Sequence, residues 1–232
     1  YRIPEAAEYL RLPEATLRSW VFGRDYPVSM GKRHSRPVLD ISDPAKGYLS
    51  FINLVEAHVL SGIRRKHNIS LLRVRDAVEF LREKFGSNRP LVDQQFVTDG
   101  IDLFVEKLEG LVNVSRRGQG AMREVLELHL RRIERDPLGV PIRLFPFTRS
   151  KPELQTTGTV VIDPAVSYGR PIIRRLGVPT AMIAERYKAG ERVDDLAADY
   201  GAERDEIEEA IRCVLQVRAA CTADAVHRQV PR

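Results

Sequence analysis

The chain is poor in the residues from which catalytic and metal sites are usually built. Two cysteines, Cys213 and Cys221, occur in 232 residues. They form neither a CxxC nor a Cys/His ligand pattern, which argues against structural zinc. The histidines, His34, His58, His67, His129 and His227, show no HExxH or facial-triad spacing. No GxSxG, phosphate-binding P-loop or GxGxxG is present. Asp93, Asp99, Asp102 and Asp163 are scattered near turns, where aspartate commonly serves local hydrogen bonding. Only carboxylates gathered in space by the fold would leave a metal-dependent nuclease open. No apolar run approaches the ~20 residues that span a bilayer, and no signal-peptide pattern opens the chain. Few cysteines and no export signal point to the cytoplasm. The expectation is a non-enzymatic cytoplasmic protein with no catalytic residue, metal, cofactor or membrane association.

What is present is length, helical periodicity and an uneven charge. A chain of 232 residues holds one large domain or two to three small ones. The net charge of +5 is modest, and its distribution says more. Residues 15–36 carry five positive side chains, Arg18, Arg24, Lys32, Arg33 and Arg36, against one negative, Asp25. Residues 163–216 carry eight positive and eleven negative.

The opening stretch, IPEAAEYLRLPEATLRSWV, reads as two short helices joined by a tight turn. Pro4 suits a first helical turn, and Ala6, Ala7 and Leu10 recur at helical spacing. Pro13 restarts the chain for a helix over Glu14–Phe22. Leu17 and Trp20, three apart, share an inward face, so Trp20 reads as core. Thr16, Arg18 and Ser19 fall elsewhere on the circumference. Helices that enter a DNA major groove are built this way. A surface αα-hairpin that merely packs is the alternative. The following stretch, GRDYPVSMGKRHSRPVLDIS, predicts a basic hairpin or wing with a short extended piece at Pro37–Ile41. Phosphate contacts supply affinity and base-edge contacts supply specificity. Arg18 is therefore the candidate base reader, Thr16 and Ser19 donors to phosphate or base, and Arg24, Lys32, Arg33 and Arg36 candidates for the phosphate backbone.

Farther on, helices are expected over 51–66, with Ser70 capping another over Leu71–Phe85. Gln95–Thr98, Asp102–Glu106 and Val112–Val114 read as short strands, with Asp99-Gly100 as a hairpin turn. A helix is expected over Gln119–Arg135, then strands in PIRLFPF and GTVVID around the polar linker RSKPELQTTG. Thr180 is the expected cap of the first of three C-terminal helices, over 180–188, 193–200 and 204–217. The acidic third helix would be repelled by phosphate, so this unit is expected to meet protein. Arg170, Arg174 and Arg175 before it read as a solvated basic loop. The fold class is α+β and mostly helical. A winged helix-turn-helix is expected over 1–86, a mixed region with short strands over 87–157, and a three-helix domain over 158–232.

Residues 1–75 resemble the MerR-type winged helix-turn-helix in IPEAAEYLRLPEATLRSW, a wing, and INLVEAHVLSGIRRKHNISLLRVR. Two positions depart from it: Arg11 stands where the turn often has glycine, and Pro13 where a small polar cap is usual. The stretch VVIDPAVSYGRPIIRRLGVPTAMIAERYKAGERVDDLAADYGAERDEIEEAI resembles a small helical domain that recurs in chromosomal antitoxins encoded beside a PIN-like protein. There Arg175-Leu176 replaces a common Gly-Thr. Together the two resemble the long VapB-type antitoxins of VapBC toxin–antitoxin modules. The resemblance implies a PIN-like endoribonuclease toxin as partner, operator DNA as the second partner, and repression of the chain's own operon. It assigns DNA contacts to Thr16, Arg18 and Ser19, and to Lys32, Arg33 and Arg36 of the wing. A homodimer is expected, because paired reading helices one DNA turn apart suit palindromic sites. The tail arginines Arg218, Arg228 and Arg232 are candidates to enter an acidic toxin site; steric cover by another surface and a frayed terminus are the alternatives. A MerR-like regulator without a toxin, and a pure protein-interaction scaffold, remain competing readings.

Overall fold

Prolines and left-handed residues punctuate the start of the chain. A computed structural model describes residues 1–28, 31–67, 71–112, 116–148 and 158–226. Helix α1 (Ile3–Leu10) and helix α2 (Glu14–Phe22) are joined by a turn in which Arg11 takes φ +53°. That left-handed conformation suits glycine and costs another residue about 1–2 kcal/mol. Arg11 thus adopts the geometry of the glycine it replaces, and Leu12 N–H closes the turn on the Ala7 carbonyl at 2.9 Å. The described residues form two compact units: Tyr1–Ala6 with Glu14–Pro141, and Ala7–Pro13 with Ile142–Arg232.

In the first unit, α2 leads into an antiparallel hairpin of β1 (Arg24–Val28) and β2 (Gly31–Ser35). The extended piece expected at Pro37–Ile41 is not a strand. Val38 and Leu39 donate their N–H groups to the Trp20 carbonyl at 2.8 and 3.0 Å, so side-chain burial under α2 takes precedence over ladder pairing. Trp20 is fully buried, as its spacing from Leu17 predicts. Helices α3 (Phe51–His67) and α4 (Leu71–Phe85) follow as expected, while Ser70 lies outside the described residues. Ser50 and Asn53 cap α3 reciprocally: Ser50 N–H donates to Asn53 Oδ1 and Asn53 N–H to Ser50 Oγ, each at 3.1 Å.

The strands expected at Gln95–Thr98 and Asp102–Glu106 are helical instead. Phe96–Gly100 is a single π-helical turn that runs into α5 (Ile101–Val112); Val114 lies outside the described residues. Phe96, Gly100, Phe104 and Leu108 recur every four residues and are all buried. Gly100 is not a turn glycine: a Cβ there would lie 2.8 Å from the Phe96 ring and 3.1 Å from Phe85, so it permits close packing. Helix α6 (Arg116–Leu130) stops earlier than expected, and Ile133–Arg135 becomes strand β3. The cause is the turn that follows, where Asp136 Oδ1 accepts the N–H groups of Leu138 and Val140 at 2.9 and 2.8 Å. Helix α3 packs on α6 and α4 on α5.

A buried polar network ties the end of the hairpin segment to α3. Glu56 Oε2 accepts from Arg89 Nη1 at 2.7 Å and from Asn53 Nδ2 at 3.0 Å. The same amide and guanidinium also reach the Asp40 carbonyl. Burial raises the Glu56 carboxyl from 4.5 to about 7, against the opposing pull of Arg89 and Asn53. The folded protein therefore holds this proton through a pH range in which the unfolded chain releases it. Stability from this group is full below pH 4.5 and falls as pH rises to about 7, by about 3 kcal/mol. Urea melts of the wild type and Glu56→Gln should show that loss as a change in their stability difference between pH 5 and pH 8. A difference that stays constant would remove Glu56 as its source.

Strand β4 (Pro141–Leu144) pairs with β5 (Val160–Ile162), which pairs in turn with β6 (Pro171–Ile173), all antiparallel. The linker between β4 and β5 lies outside the described residues over 149–157. One face of this sheet buries Phe145, Val161 and Ile172 together. Ile173 instead joins Ile183, Leu196, Ile207 and Ala210 in the core of α7 (Thr180–Lys188), α8 (Val193–Tyr200) and α9 (Arg204–Val226). Thr180 is not the cap of α7: Pro179 holds that position, and the Thr180 hydroxyl donates to the Pro171 carbonyl at 3.3 Å. Helix α9 also continues past the expected Val217.

Candidate nucleic-acid interface

Helix α2 presents Arg18 to solvent, with Glu14 one turn earlier accepting from Nη2 at 3.1 Å. Both side chains are about half exposed, 57% and 47%, so this i,i+4 pair is weak and exchangeable. The guanidinium also lies 5.9 Å above the Phe22 ring, which keeps it along the helix surface. Thr16 and Ser19 are half-buried. Ser19 Oγ donates to the Thr16 carbonyl at 2.7 Å, so its proton is engaged within the helix and its lone pairs are what it offers outward.

Gly23 connects α2 to the hairpin at φ +76°, and a Cβ there would stand 1.9 Å from the Ser35 carbonyl oxygen. Only glycine lets helix end and second strand meet this closely. Hairpin register sets Arg24 opposite Ser35, Tyr26 opposite Arg33 and Pro27 opposite Lys32. Asp25 is occupied by its partner across the ladder, His34 Nδ1 at 2.8 Å. Arg24, Lys32 and Arg36 are exposed, and none has a carboxylate partner among the described residues. The Arg33 side chain lies outside the described part of the structure. Arg24, Lys32 and Arg36 thus face solvent, while Asp25 is hydrogen-bonded to His34.

Beneath the hairpin lies a cleft of about 1060 Å³, walled by Tyr26, His34 and Arg36 on one side and by Leu72, Arg75 and Asp76 of α4 on the other. Arg75 donates to the Arg36 carbonyl and, at 3.4 Å, to the Pro37 carbonyl. Burial lowers its guanidinium from the ordinary arginine value, and the neighbouring Arg36 adds to this against the pull of Asp76. Sequence reading gave Arg75 no role, since a bond to a carbonyl 39 residues away leaves no local signal.

Candidates elsewhere are engaged structurally. His58 Nε2 donates to the His129 carbonyl at 3.1 Å and His129 Nδ1 to the Val125 carbonyl at 2.8 Å, fixing both buried rings as packing groups. No three His, Cys, Asp or Glu side chains among the described residues are placed to hold a metal ion. Burial pushes the Cys213 thiol up to about 11, away from nucleophilic character. Arg170, Arg174 and Arg175 are exposed, as expected of a solvated basic loop, and from the turn at 174–176 Arg175 also donates to the Gly201 carbonyl that ends α8 at 2.7 Å and pairs with Glu206 at 2.8 Å. Arg174 lies over the Phe145 ring at 5.4 Å. Of the tail arginines, Arg218 belongs to α9 with its side chain outside the described part, and Arg228 and Arg232 lie outside the described residues. No described helix is long and apolar enough to cross a membrane.

Comparison with known proteins matches the two ends of the chain to two different families. Residues 1–78 match a family described as "Putative DNA-binding HTH domain", and residues 160–212 match "Protein of unknown function (DUF433)". Along its length the chain is similar to "Putative antitoxin VapB45" of Mycobacterium tuberculosis, 28% identical over 92% of this chain and 93% of that protein. It is also similar to the uncharacterized protein Rv2308 of the same organism, 26% identical over 95% and 92%. The fold is shared with the crystal structure of Rv2018 from M. tuberculosis, with a TM-score of 0.65 and 22% identity over 91% of this chain and 96% of that one.

Proposed function

We propose that this chain is a non-enzymatic, DNA-binding antitoxin. Its segment 1–86 binds promoter DNA as a winged helix-turn-helix and represses its own operon. Its segment 158–232 contacts a PIN-like endoribonuclease toxin, and residues 87–157 connect the two. The observation that carries the DNA half is the set of exposed cations Arg24, Lys32 and Arg36, without carboxylate partners among the described residues, on and just past a hairpin that directly follows the helix displaying Arg18. Cations so placed exchange condensed counterions for phosphate. Arg18 reads a base edge, with Thr16 and Ser19 alongside it, and Arg33 joins the phosphate contacts. The relative named as an antitoxin, matched over nearly the whole of both chains, supports the toxin half. A homodimer doubles the reading helix on a palindromic operator. The tail arginines Arg218, Arg228 and Arg232 are assigned to an acidic toxin site.

Co-expression with the product of the adjacent open reading frame tests the reading. A complex that co-purifies, and growth restored by this chain when that product arrests it, is the expected result. Absence of both sinks the antitoxin assignment. The cleft between hairpin and α4 favours one other reading, a MerR-like regulator that answers to a small effector. That reading predicts DNA binding without a toxin gene next door.

A further inference from the structure

The loop between β5 and β6 holds an exposed tyrosine on left-handed backbone. Ser167 and Tyr168 take φ +47° and +56°, in the left-handed region that non-glycine residues avoid. The Tyr168 side chain is 95% exposed and has no hydrogen-bond or ring partner among the described residues. No packing of its own ring holds Tyr168 there, yet the loop around it is firmly built. Asp163, itself buried, receives Arg143 Nε at 2.7 Å on one oxygen and Ala165 N–H at 2.9 Å on the other. Val166 N–H returns to the Asp163 carbonyl at 3.0 Å and Gly169 N–H to the Val166 carbonyl at 2.9 Å. Strain retained by an over-determined surround is the pattern of a binding element. These hydrogen bonds hold the display in place without a partner, so little ordering is needed on association.

Its chemistry identifies the partner. Pro164, Ala165, Val166, Tyr168 and Arg170 are exposed, and the stretch 164–170 contains no carboxylate. Arg170 has no ion-pair partner among the described residues. Tyrosine and arginine are the residues that most often anchor protein interfaces, and this pair stands out within a segment whose charge is otherwise acidic. We infer that Tyr168 and Arg170 form the anchor by which this chain docks its toxin, the ring entering an apolar pocket whose rim carries carboxylates. The inference rests on the antitoxin reading and adds to it the surface that makes the contact.

The test measures the affinity of the full-length chain for the adjacent-gene product, with Tyr168→Ala, Arg170→Glu and Tyr168→Gly variants. Tyr168→Ala is expected to weaken the complex by about 30-fold, the loss of one anchor, and Arg170→Glu to weaken it through charge reversal. Tyr168→Gly relieves the left-handed backbone, so its melting temperature should equal or exceed that of the wild type while affinity still falls. A merely structural tyrosine could not give that combination. Wild-type affinity in Tyr168→Ala would overturn the anchor and leave the antitoxin reading standing. No complex with the wild type would overturn both. Weakened promoter binding with toxin binding intact would make the loop a nucleic-acid contact instead and overturn the inference.

Discussion

Replacing Arg24, Lys32 and Arg36 together with alanine is expected to weaken promoter binding by about 10²–10³-fold at 0.1 M salt and to flatten its salt dependence by about 2.7 in log–log slope. Each phosphate neutralised releases close to one condensed counterion, and among the described residues the three cations have no carboxylate to which they would otherwise be held. Affinities of variant and wild type should converge as salt approaches 1 M. The loss should be similar on unrelated duplexes, because phosphate contacts carry no sequence information. Arg18→Ala should behave differently. It removes about 1–3 kcal/mol of discrimination at one base position and leaves non-specific binding nearly intact. Fluorescence anisotropy across a salt series distinguishes the two. An unchanged slope in the triple variant would place the phosphate contacts on another face.

Gly23→Ala is expected to destabilise the first unit by about 3 kcal/mol or more. A left-handed φ costs alanine about 1–2 kcal/mol, and its Cβ, 1.9 Å from the Ser35 carbonyl oxygen, forces the strands away from α2 at further cost. Trp20, the single tryptophan, is fully buried in this unit, so its fluorescence reports unfolding here rather than of the whole chain. A lowered urea midpoint by that signal, with promoter affinity lost although every cation remains, is the predicted pair of outcomes. Unchanged stability would mean that the helix end and Ser35 separate without cost, and that hairpin position is not set by Gly23.

The limits of sequence reading show the same physics. Helices α2, α3 and α4 were legible because their apolar positions repeat at a period that only a helix satisfies. The hairpin was legible as a basic, turn-rich stretch, although its end was not, since Val38 and Leu39 are fixed by a carbonyl in α2 rather than by a ladder. Residues 95–106 misled because Asp99-Gly100 mimics a hairpin turn. The buried repeat from Phe96 to Leu108 outweighs that local signal, and Gly100 serves contact with Phe96.

By itself the sequence determined where charge lies and which segments are amphipathic, because both are properties of neighbouring residues. It therefore located the basic stretch at Arg24–Arg36 and the acidic C-terminal helices. Tertiary structure decided which charges remain free. Asp25 is taken by His34, Arg175 by Gly201 and Glu206, and Arg75 by the carbonyls that end the hairpin, while Arg24, Lys32 and Arg36 keep no carboxylate among the described residues. It also decided that Tyr168 stands exposed on a hydrogen-bonded loop with left-handed backbone. Pairing and exposure depend on distances between residues far apart in the chain, and those distances are set by how the core packs.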